Sequence, residues 1–140
     1  MTQPALNLNL TSDPAEIAGA RHAVERFAAD SGFHADAVAD LGLCVNEALA
    51  NIIRHAYQGA RGRPIELRAE VTEGDAIITL RDWGNGRVPD VCDASLPDPA
   101  QPATFRPGGL GLPCMKKLLD SLSFEPQPDG MRLRMTKIKR

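Results

Sequence analysis

Cysteines, aromatic side chains and long apolar runs are scarce in this chain of 140 residues, and each shortage excludes a class of protein. The three cysteines, Cys44, Cys92 and Cys114, are an odd number without a Cys-x-x-Cys pair, which indicates neither a disulfide framework nor a zinc knuckle. No apolar run approaches the roughly 18 residues that span a bilayer. The N-terminal residues lack the basic and apolar regions of a signal peptide. We therefore expect a cytoplasmic protein without a membrane partner.

An excess of charge of one sign is also lacking. The 16 Lys and Arg residues against 18 Asp and Glu give a formal net charge of −2, whereas a dedicated nucleic-acid binder usually shows a basic stripe. We therefore expect no direct contact with nucleic acid. The chain has instead the composition of a globular protein, with 43% hydrophobic and 24% charged residues. Its length predicts a single domain over residues 1–140.

The periodicity of apolar residues predicts both strands and helices. Leucines at 6, 8 and 10 alternate with asparagines, as in a half-buried strand. The predicted elements are, in order, this strand, helices at 13–32 and 34–57, strands at 65–71 and 76–81, a long loop, a helix at 112–119, and strands at 122–125 and 132–137. This order predicts an α+β fold, a two-layer α/β sandwich in which a mostly antiparallel mixed sheet carries helices on one face.

A first polar motif lies on the second predicted helix, where Glu47, Asn51 and His55 follow one another at intervals of four residues. In an α-helix this spacing places the three side chains on one stripe. The amide oxygen could ligate Mg²⁺, the carboxylate could take a proton from a hydroxyl nucleophile, and the imidazole could orient its neighbours. A solvated polar face of the helix is the plain alternative.

Two glycine-containing motifs follow. Asp82, Gly84 and Gly86 come directly after a strand, where a carboxylate can accept a hydrogen bond from an exocyclic amine and glycines allow a flat ligand to approach the backbone. A plain turn is the alternative. The run Gly108-Gly109-Leu110-Gly111 opens a helix, whose N-terminal N–H groups can bind phosphate, although a flexible hinge is also possible. Between the two motifs lies a proline-rich loop, residues 87–107, that could cover a ligand.

The three motifs, in this order, resemble the nucleotide-binding boxes of the histidine-kinase-like (GHKL) ATPases. The stretch from Leu43 to Tyr57, LCVNEALANIIRHAY, and the closing Met135-Thr136-Lys137 resemble the anti-sigma-factor serine-protein kinases in particular. This resemblance covers residues 6–138 and implies an ATP-dependent kinase whose cofactors are ATP and Mg²⁺. It also implies a sigma factor and a small anti-anti-sigma (STAS-type) protein as partners, with transfer of phosphate to a serine of the latter, and a homodimeric assembly.

The resemblance further implies a role for each motif. Glu47 is the general base, Asn51 is the Mg²⁺ ligand, and His55 completes that box. Asp82 contacts the adenine amino group, and the glycines at 84 and 86 leave room for the base. The nucleotide phosphates meet the backbone of the segment 108–111. Arg106, in the loop at 87–107 that forms the predicted ATP lid, could reach the γ-phosphate, and a solvated loop arginine is the alternative.

Met131 departs from the family pattern, since a threonine often follows the glycine at this position, and Pro113 lies in the first turn after the glycine run. Two other functions therefore stay open. One is a nucleotide-gated protein that binds a partner without transferring phosphate. The other is a catalytic module separated from a histidine kinase.

Overall fold

The structure is a computed structural model that describes residues 5–85 and 111–139, the first four residues of the second range by their backbone alone. The elements are β1 (Ala5–Thr11), α1 (Ile17–Asp30), α2 (Ala35–Asn51), β2 (Pro64–Thr72), β3 (Asp75–Asp82), α3 (Gly111–Leu118), β4 (Ser121–Gln127) and β5 (Gly130–Ile138). A short 3-10 turn, Pro14–Glu16, precedes α1, and a π-helical segment, Ile52–Ala56, continues α2. The order of strands and helices predicted from the sequence is confirmed.

The five strands form one sheet in the order β1-β2-β3-β5-β4, and each neighbouring pair is antiparallel. The predicted two-layer α+β architecture is therefore confirmed, although within the described residues the sheet is antiparallel throughout rather than mixed. The pairs β1–β2, β2–β3 and β4–β5 join strands that follow one another along the chain, and all three are antiparallel. The pair β3–β5, which brings the two parts of the chain together, is antiparallel as well. This arrangement places the end of β3 beside the start of β5.

One face of the sheet carries the hydrophobic core. Alternate residues of β2 and β3, such as Leu67 and Leu80, are buried, and they cluster with buried residues of all three helices. The residues between them, such as Arg68 and Arg81, lie on the opposite, open face. This two-residue alternation is what a sheet packed against helices on a single side requires. The described residues contain no helix long and apolar enough to cross a membrane.

The second helix changes geometry near its end. We predicted one helix over 34–57, but the α-helix ends at Asn51 and the next five residues are π-helical. The N–H of Tyr57 accordingly bonds to the Ile52 carbonyl oxygen, five residues back, at 3.0 Å. His55 lies within this π segment and is exposed, whereas Glu47 and Asn51 on the α-helix are half-buried.

Candidate functional site

The end of β3 leads into a turn, residues 82–85, in which three consecutive backbone N–H groups are hydrogen-bonded. The N–H of Trp83 donates to the Tyr57 hydroxyl at 2.8 Å, and the N–H of Gly84 donates to Asp82 Oδ1 at 2.9 Å. The N–H of Asn85 donates to the carbonyl oxygen of Ala56 at 3.0 Å. Each bond has a different partner, so the turn is fixed at every residue and is attached to the end of the second helix.

Asp82 is a charged residue of the sheet that lies on the core side, and only 3% of its surface is exposed. Burial raises the pKa of its carboxyl, while the N–H of Gly84 and the Arg81 guanidinium oppose that rise. A buried carboxylate costs free energy unless hydrogen bonds or charges compensate it. The Gly84 and Met131 N–H groups and the Arg81 guanidinium supply part of this compensation, yet the pKa of the carboxyl stays raised.

The carbonyl group of Asp82 is fixed as well. Arg81 donates from Nη1 to this oxygen and forms an ion pair with Asp129 through Nη2. On the neighbouring strand, a Cβ added to Gly130 would overlap the same carbonyl oxygen, so only glycine fits there. The peptide between Asp82 and Trp83 is thus held at both ends, at the C=O by Arg81 and at the N–H by Tyr57.

Gly84 has a packing role that the sequence did not indicate, while its role beside a nucleotide base stays a prediction. We predicted that this glycine leaves room for the base of a nucleotide. In the structure a Cβ at this position would overlap the carbonyl oxygen of Ala56, at the end of the π segment. The close approach of two backbones therefore requires glycine here. The finding assigns Gly84 to the packing of the turn against the helix.

Trp83 points away from the Asp82 carboxyl. Successive residues of an extended strand alternate between faces, and Trp83 accordingly lies on the open face. Its ring packs against the Arg81 guanidinium, with Arg81 Cζ 4.6 Å from the ring centroid. There it lines a groove of about 680 Å³ together with Arg81 and Arg132. The indole therefore covers the open face of the sheet and does not stack beside Asp82.

Glu47 and Asn51 lie one turn apart on α2, and both side chains are half-buried. Although Asn51 directly precedes the π segment, its side chain makes no capping hydrogen bond there. Neither it nor the Glu47 carboxylate has a hydrogen-bond or ion-pair partner in the part of the chain that the structure describes. Both polar groups are thus available to a ligand, and the bond from Asn85 to Ala56 attaches the Asp82 turn to the same helix.

The predicted phosphate segment is described only in part. Gly111 begins α3, and this helix packs against α2. The other predicted residues, Gly86, Arg106, Gly108, Gly109 and Leu110, lie outside the described residues, as does the predicted lid at 87–107. Within residues 5–85 and 111–139 no three His, Cys, Asp or Glu side chains cluster as a metal site.

Sequence reasoning gave no role to two of the three residues that surround Asp82, namely Tyr57 and Arg81, which fix its backbone. The third, Met131, was noted as a departure from the family pattern, and in the structure it pairs with Asp82 across the sheet and is buried beside it. Tyr57 is the last residue of the stretch that resembles the kinase family, but the sequence does not indicate its hydrogen-bond partners. The role of Arg81 follows only from the structure.

The sequence is similar to known proteins over nearly its whole length. The sequence profile of the histidine kinase-like ATPase domain matches residues 10–137. An anti-sigma F factor of Clostridium botulinum (strain Eklund 17B / Type B) is 29% identical over 138 residues, which cover 98% of this chain and 96% of that protein. The serine-protein kinase RsbW of Listeria innocua serovar 6a is 26% identical over 137 residues, which cover 94% of this chain and 85% of that protein.

A solved structure shares the fold. The crystal structure of the RsbU and RsbW domains of a Mycobacterium tuberculosis protein superposes with a TM-score of 0.69 at 16% identity, over 97% of this chain and 32% of that one. This chain thus matches about a third of that protein, and at this identity the likeness shows the fold alone. The profile match and the curated relatives go further. The chain belongs to the family of histidine kinase-like ATPase domains, in the group represented by the anti-sigma factors and their serine-protein kinases.

Proposed function

We propose that this protein binds ATP and that the Asp82 carboxylate accepts a hydrogen bond from the exocyclic amine of adenine. The observation that carries the proposal is a carboxylate only 3% exposed whose carboxyl pKa is raised by burial. A buried carboxyl with a raised pKa at the end of a strand is typical of a binding site, because the cost of burying its charge is only partly offset by the Gly84 N–H and the Arg81 guanidinium. The donated N–H of an amine offsets the cost of burying the carboxylate.

The side chains on α2 serve the phosphate end of the nucleotide. Asn51 offers a half-buried amide without a capping bond, and an amide oxygen is the hard ligand that suits Mg²⁺, an ion that keeps several waters and phosphate oxygens. When bound, Mg²⁺ neutralises charge on the β- and γ-phosphates. His55 has a peripheral place at this site, since its imidazole is exposed.

The glycine run supplies the remaining phosphate contacts in this proposal. The backbone of Gly108, Gly109, Leu110 and Gly111 binds the phosphates, Gly86 follows the adenine turn, and Arg106 contacts the γ-phosphate. The packing of α3, which begins at Gly111, against α2 supports this assignment, because it joins the glycine run to the helix of Glu47 and Asn51.

We further propose that the protein is a serine kinase. Glu47 accepts the hydroxyl proton of a protein serine while that oxygen forms a bond to the γ-phosphorus of ATP. The bond from this phosphorus to the β–γ bridging oxygen breaks, and ADP leaves. The position of Glu47 one turn before Asn51 supports this role, since both side chains lie on one side of the helix.

The names of the relatives indicate the partners. An anti-sigma F factor acts on a sigma factor, and RsbW is named a serine-protein kinase. We therefore propose that this chain, as a homodimer in the cytoplasm, binds a sigma factor and phosphorylates a serine of an anti-anti-sigma protein of the STAS type, so that the two partners exchange. Transcription is then regulated by the exchange between the two partners.

Phosphotransfer to such a partner tests the proposal. The chain is incubated with Mg²⁺, γ-labelled ATP and STAS-type proteins encoded near its gene, each also prepared with its candidate serine changed to alanine. We expect label on the serine-bearing protein and none on the alanine variant. Binding of ATP and of the partner without any labelled serine would favour the nucleotide-gated binding protein instead.

A further inference from the structure

The hydroxyl group of Tyr57 joins three parts of the fold. The residue follows the π segment of the second helix, its hydroxyl donates to the carbonyl oxygen of Pro64 at 2.5 Å, and it accepts from the N–H of Trp83 at 2.8 Å. Pro64 begins β2, and Trp83 follows β3. A single side-chain oxygen therefore connects the helix end to the ends of two strands.

The direction of both bonds is fixed by chemistry. The Trp83 N–H can only donate and the Pro64 carbonyl can only accept, so the hydroxyl must use its lone pair for one and its proton for the other. Burial raises the pKa of the Tyr57 hydroxyl, and the negative charge of Asp82 adds to that rise, so the proton is retained at neutral pH. Replacing the hydroxyl by hydrogen removes both of these bonds at once.

These bonds bear on Asp82 through a single peptide unit. The N–H held by Tyr57 belongs to the same planar peptide as the Asp82 carbonyl, which Arg81 holds from the other side. Rotation of this peptide plane changes ψ of Asp82 and φ of Trp83, which set the direction of the following turn. The turn contains the Gly84 N–H that bonds to the Asp82 carboxylate. Tyr57 thus restrains the peptide that directly follows the Asp82 carboxylate.

We propose that Tyr57 is a positioning residue that sets the preference of this site for a 6-aminopurine over a 6-oxopurine nucleotide. The inference rests on the proposed binding of ATP by Asp82. An amino group donates to a carboxylate, whereas an oxo group presents a second acceptor to it, so discrimination depends on how firmly the carboxylate is held. A restrained carboxylate both favours ATP and repels ITP. A carboxylate that can rotate away binds ATP less tightly and repels ITP less strongly.

Nucleotide titrations of Tyr57→Phe test the proposal. Dissociation constants for ATP and ITP are measured with Mg²⁺ by calorimetry for the parent and the variant. We expect the affinity for ATP to fall about tenfold and the affinity for ITP to stay the same or rise. The matched control is Ser31→Ala, which removes another hydroxyl that bonds to a backbone carbonyl, that of Phe27 at 2.8 Å at the end of α1. Both of its dissociation constants should equal those of the parent.

The outcomes separate the two proposals. An unchanged ratio of ATP to ITP affinity in Tyr57→Phe, including an equal loss for both nucleotides, would overturn the positioning role while the binding of ATP stands. A parent protein that does not prefer ATP to ITP would overturn the adenine assignment itself, and the positioning role with it.

A second measurement covers the case in which Tyr57→Phe does not fold. The chain contains a single tyrosine, so a more acidic fluorinated tyrosine supplied during expression replaces Tyr57 alone. We expect the ATP preference of this protein to fall as the fluorinated hydroxyl ionises and can no longer donate to Pro64. The unmodified protein should keep its preference over the same pH range. Parallel profiles for the two proteins would contradict the proposal.

Discussion

The N–H of Asn85 donates to the carbonyl oxygen of Ala56, so the turn that follows Asp82 is bonded to the end of the helix that carries Glu47 and Asn51. This bond connects the two parts of the chain that the proposed function assigns to adenine and to Mg²⁺. The accepting carbonyl belongs to the last residue of the π segment that continues the second helix. The same contact leaves no room for a side chain at Gly84.

Gly84→Ala should therefore destabilise the fold. The added Cβ would overlap backbone at Ala56, and overpacking of this kind costs about 1–3 kcal/mol. Urea denaturation measures the change in the free energy of unfolding. Gly19→Ala is the matched control, because a Cβ at this position of α1 meets nothing within 4 Å and alanine favours a helix by about 0.5–1 kcal/mol. Equal effects of the two substitutions would contradict this account of the turn.

Asp82 should make the stability of the apo protein depend on pH. Because its folded pKa is raised, the folded chain binds this proton more tightly than the unfolded chain does. The resulting stabilisation is complete below the unfolded value of about 4 and is lost as pH rises through the folded pKa. Asparagine does not titrate. The free energy of unfolding of the parent, relative to Asp82→Asn, should thus fall as pH rises from about 4 through the folded pKa.

Urea denaturation of both proteins across this range gives that difference directly. A difference that stays constant with pH would mean that the carboxyl has the same pKa in the folded and unfolded chains. A difference that grows with pH would mean that the folded pKa is lowered, which contradicts the burial of Asp82 as the dominant influence.

Glu47 and Asn51 should differ in what their loss removes. Glu47→Gln should keep the affinity for ATP and slow single-turnover transfer to the partner by about 100-fold, at the lower end of the effect of a general base, because phosphoryl transfer is loose. Asn51→Ala should weaken Mg²⁺-dependent nucleotide binding and abolish transfer together. Glu66→Gln, on the open face of the sheet, is a charge-matched control and should leave both unchanged.

Transfer that is unaffected by Glu47→Gln would remove the base assignment and leave the ATPase fold intact. Transfer lost equally in Glu66→Gln would show that the assay responds to charge in general and not to the chemistry of Glu47.

The local parts of the fold were predictable because local chemistry determines them. The hairpin between β2 and β3 turns at Glu73 and Gly74, which adopt φ angles of 54° and 87°, and a Glu-Gly pair between apolar runs predicts such a turn. The alternation of Leu6, Leu8 and Leu10 predicted β1 for the same reason. Apolar periodicity likewise located the helices within a few residues.

The π segment and its consequences were not predictable. The apolar residues Ile52, Ile53 and Ala56 fit an α-helix as well as a π-helix, so the sequence predicted a regular stripe as far as His55. The contacts of Gly84 and Tyr57 depend on where the helix end meets the β3 turn, which is set by tertiary packing. The roles of Glu47, Asn51 and Asp82 in binding and catalysis remain predictions.

Titration of ATP into the parent protein and into Asp82→Asn tests the central claim most directly. The variant keeps the shape of the side chain and an acceptor for the Gly84 N–H, but it loses the charged acceptor for the adenine amine. A lost hydrogen bond to a charged group costs about 1.5–3 kcal/mol, so we expect saturable binding by the parent and binding weakened about 10-fold to more than 100-fold in the variant. Equal dissociation constants for the two proteins would contradict the assignment of Asp82 to the adenine base.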